Sequence, residues 1–268
     1  MNQKPGLLRI IRNLIRIITD RPQPPPSLKD NPLLAAILNR RSIRRFSERE
    51  IPEDVFRAIL EAGRLAPSTV NLQTWSFITF TQPEWRERFG ASLPFHGRRA
   101  IIVIADTNRV RLAYAAFPES PLVEYTFAVM NASLAAMAMN IAAEALGVSS
   151  VMLSETGRSG FLDAGYLKEK LGLPQHTAPL MTIVFGYPAS AYPPMPPKLA
   201  PETVCFPGKY RETDPAVMQD WSAQIQDAYQ VSFFPATFDK QLQIYMSKIQ
   251  QAEASLHEMV FPPPAEKK

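Results

Sequence analysis

The sequence is poor in the residues that usually carry thiol and metal chemistry. Its 268 residues include one cysteine, Cys205, and three scattered histidines, His96, His176 and His257. A lone cysteine makes neither an internal disulfide nor a thiolate zinc site, and histidines this far apart form no metal-ligand motif. There is no G-x-S-x-G nucleophile motif and no paired Cys/His site. No G-x-G-x-x-G follows the first strand candidate, so a Rossmann dinucleotide site is not supported. Charge of one sign is also scarce: 29 Lys+Arg against 25 Asp+Glu leave a net +4. An electrostatic nucleic-acid binder needs a far larger basic excess, which excludes nucleic acid as a partner. With 46% apolar and 20% charged residues, the composition fits a globular protein of a reducing, cytoplasmic compartment rather than a disordered chain.

Proline is abundant. The chain has 26, about twice the usual share, and they cluster. Five fall between Arg21 and Pro32, seven between Pro188 and Pro207, and three at Pro262–Pro264. Proline fixes φ and lacks an N–H donor, so these clusters read as extended connectors rather than helix or central strand. They divide the chain into an N-terminal helix and linker (1–30), a body (31–200) and a C-terminal extension (201–268).

In the N-terminal segment, apolar residues at 7, 8, 10, 11, 14, 15, 17 and 18 recur at helical spacing, opposite Arg9, Arg12, Asn13 and Arg16. This predicts a basic amphipathic helix, and two readings stay open. One is a peripheral contact with an anionic membrane through residues 6–19. The other is docking on its own protein or on a second copy. Arginines interrupt the apolar run, so it is not a secretory signal.

A second helix is predicted between Pro121 and Gly147. It has no charge from Tyr125 to Ala143, long enough to span a bilayer. However, it is alanine-rich and interrupted by Asn131, Ser133 and Asn140. It reads as a buried core helix, with a transmembrane segment as the alternative. Strands are predicted at 75–80, 100–105, 148–153 and 179–185. Helices are predicted at about 32–39, 53–64, 83–89, 162–171, 214–229 and 236–257. The loose alternation indicates an α+β layer protein.

The chemistry concentrates between Arg40 and Trp75. Arg40, Arg41, Arg44 and Arg45 surround Ser42, and guanidiniums with a hydroxyl suit a phosphate. Then Pro67-Ser68 leads to Asn71 and Gln73, whose amides both donate and accept and so suit the edge of a heteroaromatic ring. Each pattern alone also fits a solvated face or an ordinary loop.

Taken in order, RRSIR (Arg40–Arg44), Ile51-Pro52, AILEAGRLAPS (Ala58–Ser68) and NLQTW (Asn71–Trp75) resemble the FMN-dependent nitroreductase family. The likeness continues through Leu146-Gly147-Val148, LKEKLGLP (Leu167–Pro174) and Phe185-Gly186-Tyr187-Pro188. The resemblance implies a three-layer fold, a central mixed or antiparallel sheet flanked by helices, in an intertwined homodimer. It implies an FMN site across the interface, with Arg40, Arg44 and Lys198 at the phosphate and Arg41 and Ser42 at the ribityl chain or ring edge. Pro67, Ser68, Asn71 and Gln73 would come from the other subunit. The loop Glu155-Thr156-Gly157 would lie near flavin N5. Lys209 or Arg211 could replace Lys198 as the phosphate cation.

The implied activity is ping-pong: NADH or NADPH passes hydride to flavin N5, and a small-molecule acceptor such as a nitroaromatic or quinone then takes its place. The alternatives are a non-catalytic flavin-binding or membrane-docked protein, or another flavin reaction such as dehalogenation, ene reduction or flavin fragmentation. The sequence departs from the family at Thr74, where proline is usual, which would loosen that turn. It departs again at Glu155-Thr156-Gly157-Arg158, which replaces a glycine pair. The tail is expected to wrap the partner, with Trp221, Phe233 or Phe234 in the core or the pocket.

Overall fold

A computed structural model describes residues 7–19, 24–114, 120–153, 161–231 and 238–261. In chain order the elements are α1 Leu7–Thr19, α2 Pro32–Asn39, α3 Glu53–Arg64, β1 Trp75–Thr81, α4 Gln82–Phe89, β2 Arg99–Asp106 and α5 Asn108–Ala113. They continue with α6 Pro121–Ala145, β3 Ser149–Leu153, α7 Ala164–Leu171, β4 Thr177–Gly186, α8 Pro201–Val204, α9 Pro215–Val231 and α10 Phe238–Val260. The chain divides into two compact units: 24–192 with 247–268, and 1–23 with 193–246.

In the larger unit a four-stranded sheet runs β1-β2-β4-β3, and every neighbouring pair is antiparallel. Helices α3 and α6 cover one face, through Phe56, Ile59, Ala132, Ala135 and Met139 against Ile101, Val103 and Ile183. Helices α4 and α7 cover the other, through Trp85, Phe89 and Leu167 against Ile102, Ile104 and Val184. This is the α+β layering expected from the sequence. Local signals set the boundaries: Thr81 and Glu84 form a reciprocal cap on α4, which ends on left-handed Gly90.

Helix α6 is long and apolar enough to cross a membrane by length and composition, yet its packing is that of a core helix. It buries Ala128, Ala132, Ala135, Ala136, Met139 and Ala143 on the sheet and α3. Its buried Glu124 accepts two hydrogen bonds from Arg111 Nη2, at 2.8 and 3.0 Å. Left-handed Gly147 ends it, and Val148 N–H donates back to Ala143 O at 2.8 Å.

Three details differ from the sequence reading. Strand β4 begins at Thr177, two residues before Pro179. The pairing slips beside the proline: Val103 faces Met181 and Ile104 faces Pro179, leaving Leu180 as the extra residue of a bulge, a place where a strand tolerates proline. Two of the three proline clusters contain a helical turn, Pro26–Leu28 and α8, each starting on proline, and the third lies outside the described residues. Proline suits the first helical position, where its missing N–H has no partner to lose. Helix α5 was not anticipated.

In the smaller unit α1 lies against α9. Asp227 of α9 is fully buried and accepts from Asn13 Nδ2 at 2.7 Å and from Arg9 Nη2 at 3.3 Å. The N-terminal helix therefore docks on its own chain.

Candidate functional site

The arginine segment leaves α2 as an extended edge. Ser42 bridges Ser150 of β3 in parallel, and Phe46 bridges Pro188. Ile43 N–H donates to Ser150 O at 3.0 Å. Ile43 and Phe46 are buried, whereas Arg44 and Arg45 are exposed and Arg40 is half-buried. Arg41 turns inward, its Nη1 donating to Leu38 O at 2.9 Å and to Arg40 O at 2.8 Å, so it holds the bend from which its neighbours project.

Gly186 lets this edge approach. A Cβ there would lie 2.7 Å from the Phe46 ring, inside van der Waals contact. Gly186→Ala is expected to cost about 1–3 kcal/mol by overpacking and to push the arginine segment off the sheet. A lowered Tm together with weakened ligand binding would show both effects.

Behind the segment lies a polar nest that the sequence reading missed. Asn140 Nδ2 donates to Ser150 Oγ at 3.0 Å, and Ser149 Oγ and the Tyr192 hydroxyl are 2.7 Å apart. Glu144, at the end of α6, faces Tyr192, Arg40 and Arg41. Burial pushes its carboxyl above the usual range, while the Tyr192 hydroxyl and the two arginines partly counter that. Burial also raises the Tyr192 phenol, against the Ser149 contact. A raised folded-state value means that the stability Glu144 contributes is full below the usual carboxylate range. It is lost as pH rises through the raised value. Glu144→Gln should therefore flatten the pH dependence of Tm above the ordinary carboxylate range and raise Tm at neutral pH. Melting curves across that range check it.

The second half of the site is the turn before β1. Val70, Asn71 and Gln73 all have positive φ, at 49°, 57° and 49°, which is sparsely populated for residues with a Cβ. Asn131 of α6 holds the turn in this shape. Its Oδ1 accepts from Thr69 N–H at 3.0 Å and Thr69 Oγ1 at 3.2 Å, and its Nδ2 donates to Thr74 Oγ1 at 2.8 Å. Arg109 Nη2 donates to the carbonyls of Gln73 and Trp75, and Gln73 N–H donates to Ser68 Oγ at 3.0 Å. Asn71, Gln73 and Pro67 are left exposed.

Thr74 thus does not loosen the turn. It is buried, bonded to Asn131, and allows the left-handed Gln73 that a following proline would disfavour. The only advance signal for Asn131 and Asn140 was polarity inside an apolar helix.

The two halves occupy opposite corners of the sheet. Trp75 pairs with Ala105 and that with Ala178 of β4, while Ser42 bridges Ser150, which pairs with Phe185. Seven residues of β4 separate these rows, on the order of 25 Å with the lateral offset. Beside α6, Tyr125, Val129, Ser133, Met152, Leu180 and Met181 line an apolar cavity of about 500 Å³.

Glu155, Thr156 and Gly157 lie outside the described residues, as do Phe233 and Phe234. Lys198, Lys209 and Arg211 are exposed in the smaller unit. There Trp221 Nε1 donates to Pro197 O at 3.2 Å, fastening the proline stretch next to Lys198. Among the described residues no His/Cys/Asp/Glu group could hold a metal ion. The arginine edge with its serine is chemically matched to a phosphate, and the amide turn to the donors and acceptors of a planar ring.

Comparison with known proteins agrees with that chemistry. The model of the Nitroreductase family matches residues 37–187. An Archaeoglobus fulgidus protein provisionally named NADH dehydrogenase/NAD(P)H nitroreductase is 34% identical over 161 residues, 58% of this chain and 84% of its own. A Bacillus subtilis FMN reductase [NAD(P)H] is 24% identical over 229 residues, 81% of this chain and 84% of its own. The solved NADPH:FMN oxidoreductase from Vibrio harveyi complexed with NAD+ has the same fold, with a TM-score of 0.69 at 21% identity. The alignment covers 86% of this chain and 98% of that one.

Proposed function

Because this chain belongs to the nitroreductase family, we propose that it is an NAD(P)H-dependent FMN oxidoreductase that reduces a small acceptor, a nitroaromatic or a quinone, in ping-pong order. The carrying observation is the donor set: an extended edge presenting Arg40, Ser42 and Arg44, and a pinned turn presenting Asn71 and Gln73. Guanidiniums and a hydroxyl fit the FMN phosphate, and outward amides fit the hydrogen-bonding edge of its ring. FMN supplies, when bound, the hydride chemistry between nicotinamide and acceptor.

In this reading Arg40 and Arg44 hold the phosphate. Ser42 contacts the ribityl chain, while Arg41 sets the bend. Pro67, Ser68, Asn71 and Gln73 meet the flavin of a second copy. Two features favour the homodimer. The half-sites stand at opposite corners of one chain's sheet, as an arrangement completed by a second copy has them. Also, α6 leaves Val123, Phe127, Met130, Leu134 and Met137 exposed, at the alternating four- and three-residue spacing of a helix–helix seam.

The test is direct. Purified protein should be yellow, elute as a dimer, and bleach on rapid mixing with NADH or NADPH before an added quinone restores the oxidised spectrum. Protein that ignores FMN, or whose bound flavin neither nucleotide reduces, would overturn the reading.

A further inference from the structure

Helix α1 buries a polar edge and leaves much of its apolar stripe uncovered. An amphipathic helix docked on its own protein normally buries its apolar stripe and exposes its charges. Here Asn13 is buried and Arg9 is paired, both on buried Asp227 of α9. Ile10 and Leu14 are half-buried, but four other apolar residues face outward: Leu7 is 72% exposed, Leu8 84%, Ile11 44% and Ile15 56%. At 100° per residue these four fall within an arc of about 100°. Arg12 and Arg16, both exposed, border that arc one turn apart. The helix carries no acidic residue.

We propose that this face of α1 seats on an anionic lipid bilayer, lying in the plane of the surface with the leucine and isoleucine side chains among the acyl chains. Charge decides the occupant. A second copy meeting this face symmetrically would bring Arg12 and Arg16 of both copies to one interface, with no carboxylate on α1 to answer them. Anionic headgroups supply the missing counter-charge, and the acyl region takes the apolar stripe. The pairing of Arg9 and Asn13 with Asp227 explains the orientation: the polar edge is held by the protein, so the apolar edge must point away from α9. The inference does not depend on the flavin reading.

The experiment is co-sedimentation of the full chain with phosphatidylcholine vesicles, with and without phosphatidylglycerol. Wild type is expected to pellet with the anionic vesicles, and to release as salt rises. Arg12→Gln and Arg16→Gln should each weaken partition about fivefold. Leu8→Asp/Ile11→Asp should abolish it while leaving circular dichroism, Tm and flavin content unchanged, because both positions are exposed. Three results would overturn the proposal. One is no sedimentation of wild type, and another is equal sedimentation of the aspartate variant. The third is a larger wild-type assembly that the aspartate variant splits, which would identify a second copy as the cover.

Discussion

Replacing Arg40 and Arg44 together by alanine should yield a folded, colourless protein. Each guanidinium is expected to make charge-assisted hydrogen bonds to the cofactor phosphate. At about 1.5–3 kcal/mol apiece, losing both weakens FMN binding by about 10²- to 10⁴-fold. The fold should survive, because Ile43 and Phe46 are the residues that bury this segment, and Arg44 is exposed. Arg45→Ala is the control, since it removes a neighbouring exposed charge with little expected change in affinity. Free FMN fluoresces, so a titration of apoprotein reads the dissociation constant directly. An affinity like that of wild type in the double variant would remove the phosphate assignment.

The second large effect is expected at Asn131. Replacing it by alanine deletes three hydrogen bonds at once and leaves the Thr69 N–H and the buried Thr74 hydroxyl seeking partners. Unsatisfied buried groups cost about 1–3 kcal/mol each, so a loss of about 2–4 kcal/mol is expected, or a Tm lower by about 5–15 °C. The turn it held contains three residues at positive φ. Without the clamp these should relax, so FMN affinity falls along with stability. Thr74→Val separates the two contributions. It keeps the shape and the Thr69 contacts but removes one bond, and should cost about a third as much. Differential scanning calorimetry and the same FMN titration, on both variants, check the pair.

Both half-sites could be read along the chain because each is a contiguous stretch. The arginines and serine of 40–44 sit together, and so do the amides of 71 and 73, in an order that a family likeness could pick up. The strands were visible as short β-branched and aromatic runs. What escaped were partners distant in sequence. Asn131 reaches Thr69 across 62 positions, and Asn13 reaches Asp227 across 214. In sequence, Asn131 and Asn140 register only as flaws in an apolar helix. Arg41 looks like Arg40 and Arg44, and only the fold turns it inward. The start of β4 was missed because Pro179 argues for a strand boundary, and the bulge beside it, with Leu180 unopposed, exists only once β4 is paired with β2. For α1, periodicity located the two faces correctly. Which face the protein would claim depended on one carboxylate in a helix that follows some 200 residues later.

Helix α6 joins these observations. Asn131 and Asn140 are nine residues apart, two and a half turns, which puts them on opposite flanks of the helix. One flank grips the amide turn and the other grips β3 beside the arginine edge. The geometry is that of an axle with a peg on either side. Both half-sites are therefore fastened to one buried helix, each by a single asparagine. Loss of Asn131 touches one corner of the sheet and loss of Asn140 the other, whereas loss of the helix they share would undo both.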